Sequence, residues 1–347
     1  MAVDLARAVA FAQTLGVACA GALLFWLIGF PAAPLTGAAA AGSVAALAGM
    51  QVHIPDRFKT LCFLVLGVSI GATVTPEVIQ GAARWPISLA VLSGVVVVSL
   101  FACRLLLMRV FDADPLTATL ASAPGHLSFV IAIAADSRSN VQMVALVQSI
   151  RLLVLTLLVP PILVFFLGAA GTALPVTGSL SIAALAGLLV LSFLGGLRLL
   201  RFQVPAPYLM AGMVFGAAGQ LTGWAAGAPP APVLVLSLIA MGGLIASRFG
   251  GVDLAMLRRY ALAGLAVTGI LLIVALAGAF VMALTLGYKI DLLIAGYAPG
   301  GIETMAAIAV QTGLDSTFVA AHHVVRLLVL TLLVPVVMNW RRTGPNA

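Results

Sequence analysis

A ten-residue segment occurs twice in the chain, and this repeat constrains the fold more than any other feature. Residues 151–160 and 326–335 both read RLLVLTLLVP, an offset of 175 in a chain of 347 residues. The same offset aligns Pro124-Gly125 with Pro299-Gly300. The sequence therefore predicts two copies of one unit, each with an arginine inside an apolar run.

The two copies are predicted to be membrane repeats, residues 1–167 and 180–340, joined by a short linker. The chain is 63% hydrophobic and 8% charged, whereas soluble domains have roughly 45–50% apolar and about 25% charged residues. A soluble protein could not bury so much apolar surface, so we expect the lipid bilayer to be its main solvent. The net charge is +7, and the basic residues are scattered between apolar runs. This distribution indicates that they orient the protein in the membrane rather than bind nucleic acid.

Each copy contains six apolar runs, most of them near the roughly 20 residues that a helix needs to cross a bilayer. The fifth run of each copy is unusual, because it contains a Pro-Gly pair within SAPGHLS at 122–128 or YAPGGIE at 297–303. Pro-Gly breaks a helix, and the freed backbone must be paired within protein or line a wet cavity. The broken run either crosses the membrane with a kink or re-enters as a hairpin. The twelve apolar runs of the two copies are 9–30, 34–51, 58–75, 86–110, 117–135, 141–167, 180–200, 207–225, 231–249, 260–288, 291–310 and 318–340.

The distribution of Lys and Arg favours re-entrant hairpins, because basic residues accumulate in cytoplasmic loops. If both broken runs re-enter and the N-terminus is cytoplasmic, 13 basic residues lie inside and 2 outside, whereas crossing runs give 8 and 7. The favoured fold is an all-α polytopic membrane protein with two inverted repeats, each of five transmembrane helices plus one Pro-Gly hairpin. Both termini are then cytoplasmic, and the alternatives are a mixed model, in which one broken run crosses and the other re-enters, or a broken helix that crosses fully.

Arg151 and Arg326 are the first candidates for function, because a guanidinium stays charged and is costly at mid-bilayer. One interpretation is that both face a polar cavity and hold a carboxylate or another anion. The other is that each pins a hairpin by bonding the carbonyls freed at the break. The hairpins themselves, Pro124-Gly125 and Pro299-Gly300, are predicted to form the walls of the site, since helix N-termini at their tips would favour anions.

Glu303 is the only carboxylate well inside an apolar run, and such an acid needs a partner, for which we expect Arg326 or Arg151. Its alternative role is proton or cation coupling. The copies diverge here, because Ser128 matches Glu303 and His126 matches Gly301.

Further polar candidates precede the two arginines by one helical turn. His322 and His323 lie four and three residues before Arg326, and Gln148, which matches His323, lies three residues before Arg151. They either relay protons or act as polar packing between helices. The acidic residues other than Glu303 lie near run ends, where loop or capping roles are expected.

The sequence predicts no metal, no cofactor and no enzyme activity. Four histidines without ligand spacing argue against a metal site, and phosphate-binding loops, nucleophile elbows and paired catalytic carboxylates are missing from the sequence. The three cysteines lie apart in apolar runs and are expected to be inert.

The paired motifs, PGH or PGG followed about twenty-five residues later by RLLVLTLLVP, resemble the AbrB-type duplicated membrane protein family. The resemblance covers nearly the whole chain. The second copy, with Pro299, Gly300, Gly301, Glu303 and Met305, is similar to the family motif, and the first departs from it. That family is also labelled an ammonia monooxygenase or a membrane regulator of gene expression, and the resemblance implies a protein of the bacterial inner membrane.

We therefore expect a secondary-transporter-like protein for a small polar or anionic solute, with any effect on gene expression indirect. The alternative hypotheses are a membrane regulator or sensor without transport and, less favoured, a membrane oxidoreductase. The expected partners are lipid and the solute, without nucleic acid, and the sequence leaves an oligomer open.

Overall fold

The computed structural model describes residues 2–123, 130, 133–134, 137, 139–168, 178–202 and 204–339. Its elements are helices, apart from one isolated bridge between Ser179 and Ala228, which confirms the predicted all-α class. The helices are α1 (Ala2–Leu27), α2 (Ala33–Leu47), α3 (Asp56–Gly71), α4 (Pro76–Ala82), α5 (Trp85–Val110), α6 (Pro115–Ser122), α7 (Val141–Pro161), α8 (Ile182–Arg201), α9 (Pro207–Thr222), α10 (Ala231–Ala246), α11 (Leu254–Leu286), α12 (Ile290–Tyr297), α13 (Ile302–Thr312) and α14 (Ser316–Asn339). A π-helix (Ile162–Phe166) follows α7, and a 3₁₀ turn (Ser247–Phe249) follows α10.

Seven helical segments in the described ranges are long and apolar enough to cross a membrane. They expose large apolar side chains, such as Phe166 at 81% and Leu332 at 73%, as lipid-facing helices do. The chain is therefore a multi-pass membrane protein. Three other helices, α2, α3 and α9, have only 15 or 16 residues, shorter than the predicted runs. The seven segments that are long and apolar enough to cross a membrane are Ala6–Leu27, Trp85–Val110, Val141–Phe166, Ile182–Arg201, Ala231–Phe249, Leu254–Leu286 and Ser316–Met338.

Helix boundaries recur with the offset of the sequence repeat. The helices α3, α6 and α7 begin at residues 56, 115 and 141, and α10, α12 and α14 begin 175 residues later, at 231, 290 and 316. Prolines explain several of these starts, because proline lacks an N–H and fits the first helical turn. Pro115 opens α6, and Pro55 and Pro230 directly precede α3 and α10.

The chain forms two compact units, and each combines segments from both sequence copies. The first unit comprises Met1–Ala83, Thr156–Val252 and Glu303–Ala320. In it α3 packs against α9, and α10 packs against α2. In the repeat, α3 matches α10 and α2 matches α9. Each contact therefore joins a helix of one copy to a helix of the other copy, and the two contacts use equivalent pairs of helices.

Glycines allow the close approach of helix backbones at both of these contacts. A Cβ on Gly67 of α3 would overlap the Leu209 carbonyl of α9, and one on Gly242 of α10 would lie 2.6 Å from the Leu35 carbonyl of α2. Gly67 and Gly242 are the pair that the repeat aligns. Small residues of this kind favour close helix contact in membranes, where lipid gives no hydrophobic drive for helices to associate.

The second unit comprises Arg84–Leu155, Asp253–Ile302 and Ala321–Ala347. The long helices α5 and α11 pack together, with α6 against α5 and α12 against α11. Hydrogen bonds also join these helices, because the Arg104 Nε donates to Thr119 Oγ1 at 3.0 Å and the Cys103 thiol to the Val267 carbonyl at 3.7 Å. The unit thus holds both short helices, α6 and α12, that precede the Pro-Gly pairs of the sequence.

Matched N-caps begin the two helices that carry the arginines. Asn140 Oδ1 accepts a hydrogen bond from the Met143 amide at 3.0 Å at the start of α7. Asp315, its match in the second copy, accepts from the amides of Thr317 and Phe318, both at 3.0 Å, at the start of α14. Burial nevertheless raises the pKa of Asp315 above its ordinary value of 3.8. The ionised carboxylate therefore costs stability although it caps the helix.

Asp315→Asn is expected to raise the melting temperature by about 1–2 °C at neutral pH, because the amide keeps the cap and removes the buried charge. The raised pKa means that the native state binds the proton more tightly, so the wild-type chain loses stability as pH rises above 3.8. The gain should therefore vanish below that pH. Thermal melting across pH measures it, and Asp315→Ala, which also loses the cap, should be less stable than wild type. An Asp315→Asn protein less stable than wild type at neutral pH would contradict the prediction.

Candidate functional site

The second-copy break is capped by Arg326. The half-helix α12 ends at Tyr297, and Ala298 after it is extended, with ψ of 132°. Arg326 on α14 donates from Nη1 to the Ala298 carbonyl at 2.6 Å and from Nη2 to the Gly300 carbonyl. A helix C-terminus carries unpaired carbonyls and partial negative charge, which a guanidinium satisfies.

The first-copy break uses the matching residues differently. The half-helix α6 ends at Ser122, and Arg151 on α7 donates from Nη1 to the Ala123 carbonyl at 3.4 Å. Gln148 provides the stronger cap, because its Nε2 donates to the carbonyls of Leu120 at 3.0 Å and Ala123 at 2.8 Å. Both arginines thus bond the carbonyls at their own break, which supports the pinning interpretation in both copies.

Pinning leaves part of each guanidinium without a partner. Arg151 and Arg326 are 1% and 2% exposed, and neither makes an ion pair with a described residue. Within the described ranges, Arg151 Nε and Nη2 and Arg326 Nε have no hydrogen-bond partner. The two guanidinium groups are also close enough to repel each other. The site therefore has more positive charge and more donors than the described residues satisfy.

Two buried polar atoms beside the first break are also unsatisfied. Gln148 Oε1 and Ser122 Oγ have no hydrogen-bond partner in the part of the chain that the structure describes. Ser122 directly precedes Ala123, to which both Gln148 and Arg151 donate. Unpaired donors and acceptors therefore lie together at the end of α6.

His322 joins a hydrogen-bond network at the second break. Its Nε2 lies 2.9 Å from Ser88 Oγ, and Tyr297 donates from its hydroxyl to the Ser88 carbonyl at 2.7 Å. The His322 and Tyr297 rings are 6.0 Å apart, and His323 is fully buried beside them in sequence. The network ties α14 and α5 to the end of α12, which agrees with polar packing between helices.

Sequence reasoning missed Ser88 and Tyr297 as members of this site. Ser88 is one serine in an apolar run, and nothing local distinguishes it from serines that bond their own helix. Tyr297 carried a usable signal, because it directly precedes the Ala-Pro-Gly break. A tyrosine at that position is well placed to bond across to a neighbouring helix.

Glu303 lies in the first turn of α13 and is only partly buried. Its charge interacts with that of Arg248 in the same unit, whereas the sequence led us to expect Arg326 or Arg151 as its partner. The Pro299-Gly300-Gly301 segment forms the non-helical break itself, with Gly300 accepting from Arg326. The predicted first-copy residues Pro124, Gly125, His126 and Ser128 lie outside the described residues.

Comparisons with known proteins address the family. A family model described as "Transition state regulatory protein AbrB" matches residues 34–342. Two bacterial relatives are each 26% identical: "Uncharacterized protein YhjN" of Bacillus subtilis (strain 168), over 82% of this chain and 79% of its own length, and "Putative regulator AbrB" of Escherichia coli (strain K12), over 94% and 96%. A solved sodium proton antiporter from Methanocaldococcus jannaschii aligns with 96% of this chain and all of its own at 15% identity and a TM-score of 0.48. Because the family model covers most of the sequence, this chain belongs to the AbrB family of membrane proteins.

Proposed function

We propose that this protein is a secondary-transporter-like protein of the bacterial inner membrane that moves a small anionic or polar solute. One observation carries the proposal: two buried guanidinium groups, matched in the repeat, lack an ion-pair partner among the described residues. An uncompensated charge in the membrane is rare and costs at least about 2.5 kcal/mol, so it usually serves a function. An anionic solute would supply the missing charge.

The helix ends offset only part of this positive charge. A helix C-terminus is equivalent to roughly half a negative charge, and each arginine bonds one such end, α6 or α12. About one net positive charge then remains for two groups that repel each other. This balance favours a monoanion over a cation as the solute.

The repeat supports an inverted two-fold arrangement of the copies. In the first unit, α3 contacts α9 while its repeat mate α10 contacts α2, the mate of α9. Such an exchange of equivalent surfaces is what a two-fold axis produces. Inverted repeats place the binding site near mid-membrane. In this proposal each copy contributes five crossings and one Pro-Gly hairpin, and both termini are cytoplasmic.

Topology can be tested by labelling single introduced cysteines from either side of the membrane. The proposal requires residues 136–140 to react from the cytoplasm and residues 311–317 from the periplasm. The native thiols Cys62 and Cys103 are buried, which limits the background, and Cys19 should be replaced because it is exposed. Periplasmic labelling of 136–140 or cytoplasmic labelling of 311–317 would exclude the inverted arrangement.

Transport can be tested in proteoliposomes by measuring the uptake of radiolabelled small carboxylates and other anions, which is detected whether or not protons accompany the anion. We expect a signal with at least one anion class, and a loss of at least about 100-fold when Arg151→Ala and Arg326→Ala are combined, because truncating each buried charged donor costs about 1.5–3 kcal/mol. Size-exclusion chromatography shows which variant proteins remain folded. Unchanged flux in folded single and double variants would refute the assignment of the site.

The candidates for proton coupling in this proposal are Glu303 and either His322 or His323. Glu303 is the candidate acid, with Arg248 as a charged neighbour, and His322 is hydrogen-bonded to Ser88. Glu303→Gln should flatten the dependence of flux on the proton gradient while leaving binding of the solute in place. If the pH dependence of flux is unchanged in Glu303→Gln, this acid does not couple.

The second candidate function is a membrane regulator or sensor without transport. It is favoured by the names of the family model and of the Escherichia coli relative, both of which say regulator or regulatory. A transporter could still affect gene expression indirectly through the solute that it moves. Recovery of a stoichiometric protein partner, together with the absence of flux for every anion tested, would favour regulation.

A further inference from the structure

We propose that the solute binds beside the C-terminal end of α6, on Arg151, and that it is a small 2-hydroxycarboxylate, whereas Arg326 serves as a structural cap. This inference rests on the proposed function and assigns its substrate class and its binding arginine. The ten residues that begin at each arginine are identical, RLLVLTLLVP, so the distinction comes from the residues before the arginines and from the hydrogen bonds that they make.

Arg326 uses the end of its guanidinium for the backbone. Its Nη1 and Nη2 donate to the carbonyls of Ala298 and Gly300, and only Nε is without a partner among the described residues. Both terminal nitrogens of Arg326 are therefore already engaged with backbone, although each keeps a second N–H. A carboxylate that paired with Nε and Nη2 would share Nη2 with the Gly300 carbonyl, so Arg326 is less suited than Arg151 to the paired hydrogen bonds by which guanidinium recognises carboxylate.

Arg151 leaves a complete pair of donors available. Its single bond, from Nη1 to Ala123, is long at 3.4 Å, and neither Nε nor Nη2 has a partner in the described part of the chain. These two N–H groups lie on the same edge of the planar guanidinium and point in the same direction. A parallel pair of donors matches the two oxygens of a carboxylate.

Gln148 explains why Arg151 is available. Its amide already caps α6 with bonds of 3.0 and 2.8 Å to Leu120 and Ala123. In the second copy the matching residue is His323, and there Arg326 bonds the end of the helix. One difference between the copies, glutamine against histidine, therefore accompanies the change in the arginine's role.

The unsatisfied acceptors beside Arg151 specify the rest of the solute. Gln148 Oε1 and Ser122 Oγ are buried without a described partner, and a buried carbonyl oxygen needs a donor. Gln148 and Arg151 meet at the Ala123 carbonyl, so that donor must lie close to the bound carboxylate. A hydroxyl on the adjacent carbon satisfies this requirement, whereas an ammonium would add a cation beside two guanidinium groups.

Binding of four small probes to the full chain in nanodiscs tests the proposal by calorimetry. Glycolate should bind at least about tenfold more tightly than acetate, which lacks the hydroxyl, or glycine, whose ammonium is repelled. Arg151→Lys should weaken glycolate binding about 30-fold, because lysine cannot form the paired bonds. The loss of glycolate binding in Arg326→Lys should be no more than one tenth of the loss in Arg151→Lys. Arg84→Lys, at an exposed arginine, controls for the substitution itself.

Gln148→His provides a second variant that retains both guanidinium groups. It installs the second copy's residue at the first break, so Arg151 should take over the cap and glycolate binding should fall at least tenfold. Equal losses in Arg151→Lys and Arg326→Lys, or a larger loss in Arg326→Lys, would overturn the assignment to Arg151. If inorganic phosphate, the fourth probe, binds and glycolate does not, the substrate class is wrong but an anion transporter survives. Failure of the wild-type chain to bind or transport any anion would refute the proposed function as well.

Discussion

Gly67→Val and Gly242→Val are each expected to prevent recovery of folded, monodisperse protein. A Cβ at Gly67 overlaps the backbone carbonyl of Leu209, and one at Gly242 lies 2.6 Å from that of Leu35. Backbone cannot move aside as a flexible side chain can, so the helices must separate along their contact. Overpacking in a core costs about 1–3 kcal/mol and sometimes more, and a backbone clash belongs at the upper end. Expression and size-exclusion chromatography in detergent measure the loss.

The chain offers a matched control for these substitutions. Gly94 and Gly269 are also a repeat pair, and they lie within the membrane helices α5 and α11, where an added Cβ meets nothing within 4 Å. Gly94→Val and Gly269→Val should therefore change the melting temperature by no more than about 2 °C, since valine costs little in an open helix position. If the control and test variants behave alike, close helix approach at Gly67 and Gly242 does not hold the first unit together.

Features that depend on neighbours in sequence were predictable. The prolines gave the starts of α3, α6 and α10, because proline acts on the turn in which it stands. The Pro-Gly pair predicted that the fifth run of the second copy breaks, and the structure separates α12 from α13 at residues 298–301. The internal repeat required only that similar segments adopt similar local structures.

Partners that are distant in sequence were not predictable from one chain. Glu303 was assigned to Arg326 or Arg151 because these are the charges most conspicuous in apolar runs, whereas the structure gives it Arg248 as a charged neighbour. Arg248 stands at the end of an apolar run, where a solvated loop position was the simpler interpretation. The packing of first-copy helices against second-copy helices within the first unit likewise depends on contacts between residues that are distant in sequence.

The sequence shows that the two breaks have different neighbouring residues, but it does not show that their hydrogen bonds differ. The replacement of Gln148 by His323 at matched positions can be read directly, but its meaning depends on the bonds that the amide makes. The identical ten-residue block that begins at each arginine gave no reason to expect different hydrogen bonds. The hydrogen bonds differ because, in the first copy, the Gln148 amide donates to the same Ala123 carbonyl as Arg151, whereas in the second copy Arg326 donates to two backbone carbonyls.

Arg326→Met and Arg151→Met are expected to have unequal effects on stability. Methionine at 326 leaves the Ala298 and Gly300 carbonyls, which Arg326 now satisfies, without that donor, and each orphaned acceptor costs about 1–3 kcal/mol. Relief from burying a charge offsets part of this cost. We expect a net loss of about 2–4 kcal/mol and a melting temperature lower by roughly 5–10 °C.

Arg151→Met should instead leave stability unchanged or raise it. The Ala123 carbonyl keeps its 2.8 Å bond from Gln148, so no acceptor is orphaned, and the substitution removes a buried cation that repels Arg326. Replacing a poorly compensated buried charge by an apolar group of similar length is often neutral or stabilising. Thermal melting of the purified variants without added anions measures both effects under conditions where no solute contributes. Equal destabilisation by the two substitutions would mean that Arg151, like Arg326, is required to cap its helix, and that Gln148 cannot replace it.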